Sequence, residues 1–261
     1  MYPNVDAPPI IDGPVLNPDP ARRTEGSQRL AAELLDAARA LPEAAAAERV
    51  ARLAGGLHSV DPLELSGDDA RLAFWINVYN ALVLAAVHAE KPRGNLLFAL
   101  GLFSRSAWRV GAWRYSLDLI EHGLLRGNAR VPPFPWRSAK SGDARLAAAP
   151  SSVDPRIHFA LNCGARSCPP IRHYLSGQIG EQLDTATAAY FASEASVDRA
   201  ACAVTLPRLL KYYRHDFGDL LAFAAKHLPT EDGAWLLENS KRARVRFAPY
   251  DWTVATNGGP K

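Results

Sequence analysis

Hydrophobic and polar positions follow several distinct rhythms along this chain. From Asp68 to about His88 the residues are apolar nearly all round, with Leu72, Trp75, Ile76, Tyr79, Leu82, Val83 and Val87. That pattern predicts a helix buried at the centre of the fold. Leu30, Leu34 and Ala38 recur at helical spacing after Ser27, which predicts a capped helix to about Leu41. Pro42 opens a second helix that Gly55-Gly56 end. Trp108-Arg109-Val110 and Trp113-Arg114-Tyr115 flank Gly111-Ala112, the pattern of a hairpin. In 156–162, Ile157, Phe159 and Leu161 alternate with His158, Ala160 and Asn162. This alternation predicts a strand, released from its geometry at Gly164.

Asp118 and Glu121 are spaced as a capping box, opening a helix that carries His122 and ends at Gly127. Ala129 to Asp154 is Pro-rich and irregular, and reads as a flap beside the turn that holds Cys163 and Cys168. Ser176 starts a helix through Ile179, Leu183, Ala186 and Tyr190. Ala203–Leu206 reads as a short strand, Cys202 as a buried small residue within an Ala-Cys-Ala-Val strand, helices follow from Pro207 and Gly218, and Val245 and Phe247 mark a last strand. Helices come first, mixed elements later, with no regular βαβ alternation. The expected fold is therefore α+β, predominantly helical, with a small antiparallel sheet that includes 156–162. Residues 25–261 are expected to form one globular domain. Residues 1–24 are expected to form an extended, poorly ordered arm, since the first twenty contain six prolines.

Composition narrows the function classes. Thirty basic and 27 acidic residues leave a net charge of +3, too balanced to argue for nucleic acid, and the Lys241–Arg246 cluster reads as a solvated strand start. Three cysteines cannot all pair, so a disulfide framework is not expected. No signal-peptide pattern opens the chain, and no apolar run is read as a membrane span; a cytoplasmic location is the expectation. No glycine-rich phosphate loop is present, and no cofactor is expected. The oligomeric state is open.

Three separated motifs carry a resemblance. They are Ala73-Phe74-Trp75-Ile76-Asn77-Val78-Tyr79-Asn80-Ala81-Leu82, then Ile120-Glu121-His122-Gly123-Leu124-Leu125-Arg126, then His158-Phe159-Ala160-Leu161-Asn162-Cys163-Gly164 with Ser167-Cys168-Pro169. With the tail Tyr250-Asp251-Trp252, they are similar to the bacterial and plant family catalogued as domain of unknown function 547. The likeness runs over roughly residues 27 to 255. A His preceding its Cys also resembles the order in permuted papain-like thiol hydrolases.

The residues themselves suggest thiol chemistry. A thiolate needs a base or imidazolium partner and a group that orients the imidazole. Cys163 or Cys168 supplies the thiol, with Cys163 favoured because Gly164 follows it. His122 or His158 supplies the imidazole, His122 being the expected direct partner. Asn77, Asn80, Asn162 or Glu121 supplies the orienting group. The expected activity is a thiol-dependent hydrolase or acyl transferase acting on an amide or peptide-like bond of a peptide or small molecule. Two alternatives stand beside it. His158, Cys163, Cys168 and His173 form a chemically plausible zinc set. Alternatively, the asparagines and histidines build the polar core of a non-catalytic binding or scaffold domain, Asn77 and Asn80 tying loops to their helix.

Overall fold

The computed structural model describes residues 14–23, 26–99 and 101–255. Eight α-helices are present among them: α1 Ser27–Arg39, α2 Ala44–Gly56, α3 Asp68–Glu90, α4 Leu102–Arg105, α5 Ile179–Glu194, α6 Arg208–Tyr212, α7 Leu220–His227 and α8 Thr230–Glu238. Strands β1 Ala107–Val110 and β2 Trp113–Ser116 form the predicted hairpin, with Gly111 at φ 58° in its turn. Strands β3 Ser196–Asp198, β4 Ala203–Leu206 and β5 Arg244–Phe247 form the second sheet. There β3 runs antiparallel to β4, and β5 runs parallel to it. The architecture is α+β, helix-rich, with two small sheets.

The central helix is α3. Leu72 through Val83 are all buried, and α1 packs along it. Asp68 and Asp69 sit in its first turn, where the helix dipole favours negative charge. By length and composition α3 is apolar enough to cross a membrane, contrary to the sequence reading, but 72% of that window is buried by the rest of the fold. A second apolar cluster gathers Phe159, Tyr190, Phe191, Val204, Leu206, Leu210 and Phe217 around the three-stranded sheet.

Residues 155–163 run along the seam between these clusters. Ile157, Ala160 and Leu161 face the α3 core, while Phe159 faces the other. This segment is not the predicted strand; Pro155–Phe159 is a 3-10 helix. Asp154 caps it, its side chain accepting from the Arg156 N–H, and Pro155 occupies the tolerated first position. Everything from Ile157 to Asn162 is buried, so the alternation read as two faces has two buried faces.

Other expectations also change. Asp118 does not cap the following helix; the Ser116 hydroxyl accepts from the Leu119 N–H instead. Leu119–Leu125 is a π-helix, with the Arg126 N–H donating to the Glu121 carbonyl five residues back. The long 129–154 segment is no flap over the cysteines. It is anchored at the other end of α3, where the Trp75 indole and Arg71 guanidinium donate to the Ala148 and Ala149 carbonyls. Cys202 lies half-buried in a turn at φ 46°, not within β4. Of the expected N-terminal arm, residues 1–13 and 24 lie outside the described residues. Residues 14–23 are docked rather than loose: Asn17 is buried, with its amide donating to Ala54 and Arg109 carbonyls and accepting from the Arg109 N–H.

Candidate functional site

The motifs converge at the C-terminal end of the 155–163 segment. Asn80 on α3 holds this end by its backbone: its amide N–H donates to the Ala160 carbonyl and its carbonyl accepts from the Asn162 N–H. Asn162 repeats the device, donating to the Pro169 carbonyl and accepting from the Gly164 N–H. Asn77 does the same for Tyr174. All three amides are therefore backbone ties, and none points at a thiol or an imidazole.

Gly164 takes φ 87°, which only glycine adopts without strain. The chain there turns back so that the Cys163 N–H donates to the Cys168 sulfur at 3.0 Å. The C-terminal tail closes over the turn. Arg166 and Ser167 N–H groups donate to the Thr253 and Asp251 carbonyls. This seats the Tyr250 hydroxyl 3.2 Å from the Cys168 sulfur and 3.7 Å from that of Cys163. Cys168 is buried and Cys163 half-buried.

The two thiols have opposite acidities. Burial pushes the Cys168 thiol up, but hydrogen bonds from the Cys163 thiol, the Tyr250 hydroxyl and the Ala165 and Cys163 amides outweigh it, so its pKa lies below the ordinary thiol value. The Cys163 thiol, spending its proton on Cys168 and buried besides, is held well above it. Cys168 is thus the more acidic of the two thiols, with the Cys163 thiol directed at it as a donor.

Beside the thiols lies a buried polar network. The Tyr79 and Tyr213 hydroxyls donate to the two Glu121 carboxylate oxygens, at 2.7 and 2.8 Å. Asp216 accepts from the Arg126 guanidinium at 2.5 and 3.1 Å and from His158 Nε2 at 2.9 Å. The His158 ring stacks on Tyr213 with centroids 3.8 Å apart. His122 Nδ1 lies 3.0 Å from Arg126 NH1, which can only donate, so Nδ1 accepts and the imidazole is neutral. Burial depresses its pKa to about 4, overriding the attraction of Glu121 at 3.8 Å. His158 is lowered too, by its burial, despite the Asp216 carboxylate. For Glu121, burial opposes ionisation, but the attraction a protonated His122 would exert and the hydrogen bonds from the two tyrosine hydroxyls displace its pKa below the usual value. The charge of Cys163 would add to the upward displacement of Tyr79 and Tyr213, after burial and Glu121, which marks the thiols as neighbours of this network.

Of the predicted residues, Cys163 and Cys168 meet, and Glu121, His122 and His158 meet. No hydrogen bond joins an imidazole to a thiol among the described residues, so the expected His122–Cys163 contact is not made. The zinc set is not assembled: His158 is bound to Asp216, and the exposed His173 lies 3.5 Å from Asp36. Among the described residues no group of three His, Cys, Asp or Glu is placed to hold a metal ion. A surface pocket of about 420 Å³ opens beside Arg39, Arg172 and His173, and neither thiol lines it.

Sequence reasoning passed over Tyr79, Arg126, Tyr213, Asp216 and Tyr250. Three of these stood inside the quoted motifs: Tyr79 between the two asparagines, Arg126 after His122, and Tyr250 in the tail. Their chemistry was available as signal. Tyr213 and Asp216 carried none beyond the polar run 211–216 within an apolar neighbourhood.

Comparison with known proteins gives one relationship. Neither curated proteins nor solved structures yielded a match to this chain. The model of a family described as a protein of unknown function, DUF547, matches residues 62–191, which contain α3, the π-helix and both thiols of the pair. Over that segment the chain is similar to the DUF547 family.

Proposed function

We propose that this protein is a thiol-dependent hydrolase or acyl transferase acting on an amide or peptide-like bond, with the Cys168 thiolate as nucleophile. The observation that carries this reading is the convergence of donors on one sulfur: the Cys163 amide at 3.0 Å, the Tyr250 hydroxyl at 3.2 Å, and the Cys163 thiol. A thiolate stabilised before substrate arrives needs no imidazole to deprotonate it. Its attack on the carbonyl carbon forms the C–S bond and expels the amine. The Cys163 thiol, already directed at that sulfur, supplies the amine's proton. Water, or an acceptor amine, then cleaves the thioester and returns a proton to Cys163. The Glu121–His122–Arg126–Asp216–His158 network keeps the neighbouring walls rigid.

The test is the pH profile of iodoacetamide labelling, read at each cysteine by mass spectrometry. Cys168 should label with a midpoint below the ~8.5 of a free thiol, and Cys163 above it. Burial slows the plateau rate but leaves the midpoint readable. Ordinary profiles at both positions would remove the nucleophile. They would favour the second reading, a non-catalytic binding or scaffold domain. That reading is supported by Asn77, Asn80 and Asn162, each engaged at both ends with backbone.

A further inference from the structure

The same two sulfurs have a second chemistry open to them. Each lies within reach of one hydroxyl, Tyr250, and the backbone of one touches the sulfur of the other. They sit at the two ends of a turn whose reversal is made by Gly164 and by the Cys168 N–H donating to the Ala165 carbonyl. Both thiols are free, and among the described residues no group of three His, Cys, Asp or Glu is placed to hold a metal ion. Two thiols at the two ends of one turn, sharing one hydroxyl and joined by an N–H to sulfur contact, have the arrangement of a pair able to close on each other.

We propose that Cys163 and Cys168 are a dithiol–disulfide couple, closed by a hydroperoxide and reopened by a thiol reductant. The Cys168 thiolate attacks the terminal peroxide oxygen; an S–O bond forms, the O–O bond breaks, and hydroxide (alkoxide from an organic hydroperoxide) leaves and takes a solvent proton. The Cys163 sulfur then attacks the sulfenic sulfur. The S–S bond forms, the S–O bond breaks, and the departing oxygen leaves as water with the Cys163 proton. Two electrons have passed from the sulfurs to the peroxide. Closure would also switch off the proposed acyl chemistry, by consuming its nucleophile; that consequence alone rests on the reading above.

Trypsin gives a direct readout, because Arg166 lies between the two cysteines. In the reduced protein, cleavage separates Ile157–Arg166 from Ser167–Arg172. After treatment of the full chain with hydrogen peroxide and blocking of free thiols, the two peptides should remain joined, lighter by two hydrogens. Dithiothreitol should part them. In Cys163→Ser the resolving thiol is gone, and Cys168 should accumulate a sulfenic acid that dimedone traps. Oxidation of the wild type to sulfinic or sulfonic acid without the joined peptides would overturn the proposal, as would disulfides formed only between molecules. The iodoacetamide profile is independent of this result. A low-pH midpoint at Cys168 without a disulfide would sink the couple and leave the nucleophile. A disulfide with ordinary profiles would do the opposite.

Discussion

The Arg126 guanidinium grips Asp216 through two hydrogen bonds, Nε to Oδ2 at 2.5 Å and NH2 to Oδ1 at 3.1 Å, and both side chains are almost fully enclosed. The pair joins the π-helix to the short turn after α6 across ninety residues of chain. His158 shares the same carboxylate, and Tyr213 touches both His158 and Arg126. This one carboxylate therefore locks the second apolar cluster onto the first. Removing it as Asp216→Ala leaves a buried cation without its counter-ion and should cost about 3–5 kcal/mol of stability. Chemical denaturation of the variant measures this; a loss under about 1 kcal/mol would show that the pair is dispensable.

The Asn80 ties predict a different cost. Asn80→Ala strips the Ala160 carbonyl and the Asn162 N–H of their partners in a fully buried site. Two buried groups left unpaired should lower stability by roughly 2–4 kcal/mol. The loss should come with a loosened turn, since Asn162 in turn positions Gly164. Hydrogen exchange at 162–168 would report it. Unchanged protection there would mean that the tail alone holds the turn.

Acid should destabilise the protein in a defined window. His122 has a folded pKa of about 4 against 6.5 unfolded, because it is buried. Between those values the unfolded chain takes up a proton that the folded chain refuses. Stability is complete above pH 6.5 and falls by roughly 3 kcal/mol as pH drops to about 4. His158, displaced the same way, adds to the loss. Asp118, raised by burial and then by Glu121 to about 6, opposes it, since the folded chain protonates first there. Asp216, held near 2 against its burial by His158 and Arg126, loses its contribution only below its unfolded value of 3.8. Urea midpoints across this range should therefore fall more steeply for the wild type than for His122→Gln. Parallel profiles would place the imidazole's titration elsewhere.

Tyr250→Phe removes one donor from the Cys168 sulfur while keeping the ring that packs against Tyr212 and Trp252. The thiolate should lose stabilisation, and labelling of Cys168 near neutral pH should slow by about 3–10-fold through a midpoint moved upward. A slower plateau at an unchanged midpoint would instead report altered access.

Gly164→Ala combines two penalties. Its φ of 87° is disfavoured for any side chain, and a Cβ there would lie 3.3 Å from Val87 Cγ2. The variant should lose about 1–2 kcal/mol and part the two cysteines. Thermal unfolding measures the first. Loss of the peroxide-joined peptides measures the second.

Local pattern alone determined the elements whose faces differ or whose punctuation is strong. The α3 helix was legible because twenty-three residues run without Gly or Pro and are apolar on every side; only a central helix satisfies both. The β1–β2 hairpin was legible at Gly111, and the cost of an unpartnered amide in such a helix required partners for Asn77 and Asn80 without deciding between neighbouring loops and a catalytic group. Segment 155–163 was misread because periodicity reports a face only when one side meets water, and here both meet protein. The Asp154-Pro155 cap was the competing local signal. Tertiary structure alone decided the site. Glu121 finds its hydroxyls forty-two and ninety-two residues away, and Arg126 its carboxylate ninety away. Cys168 has a donor that no local pattern announced, because a tail eighty-two residues further on sets a tyrosine hydroxyl over it. Which of two similar thiols ionises depends on the donors that surround each one, and those donors are assembled only when distant parts of the chain pack together.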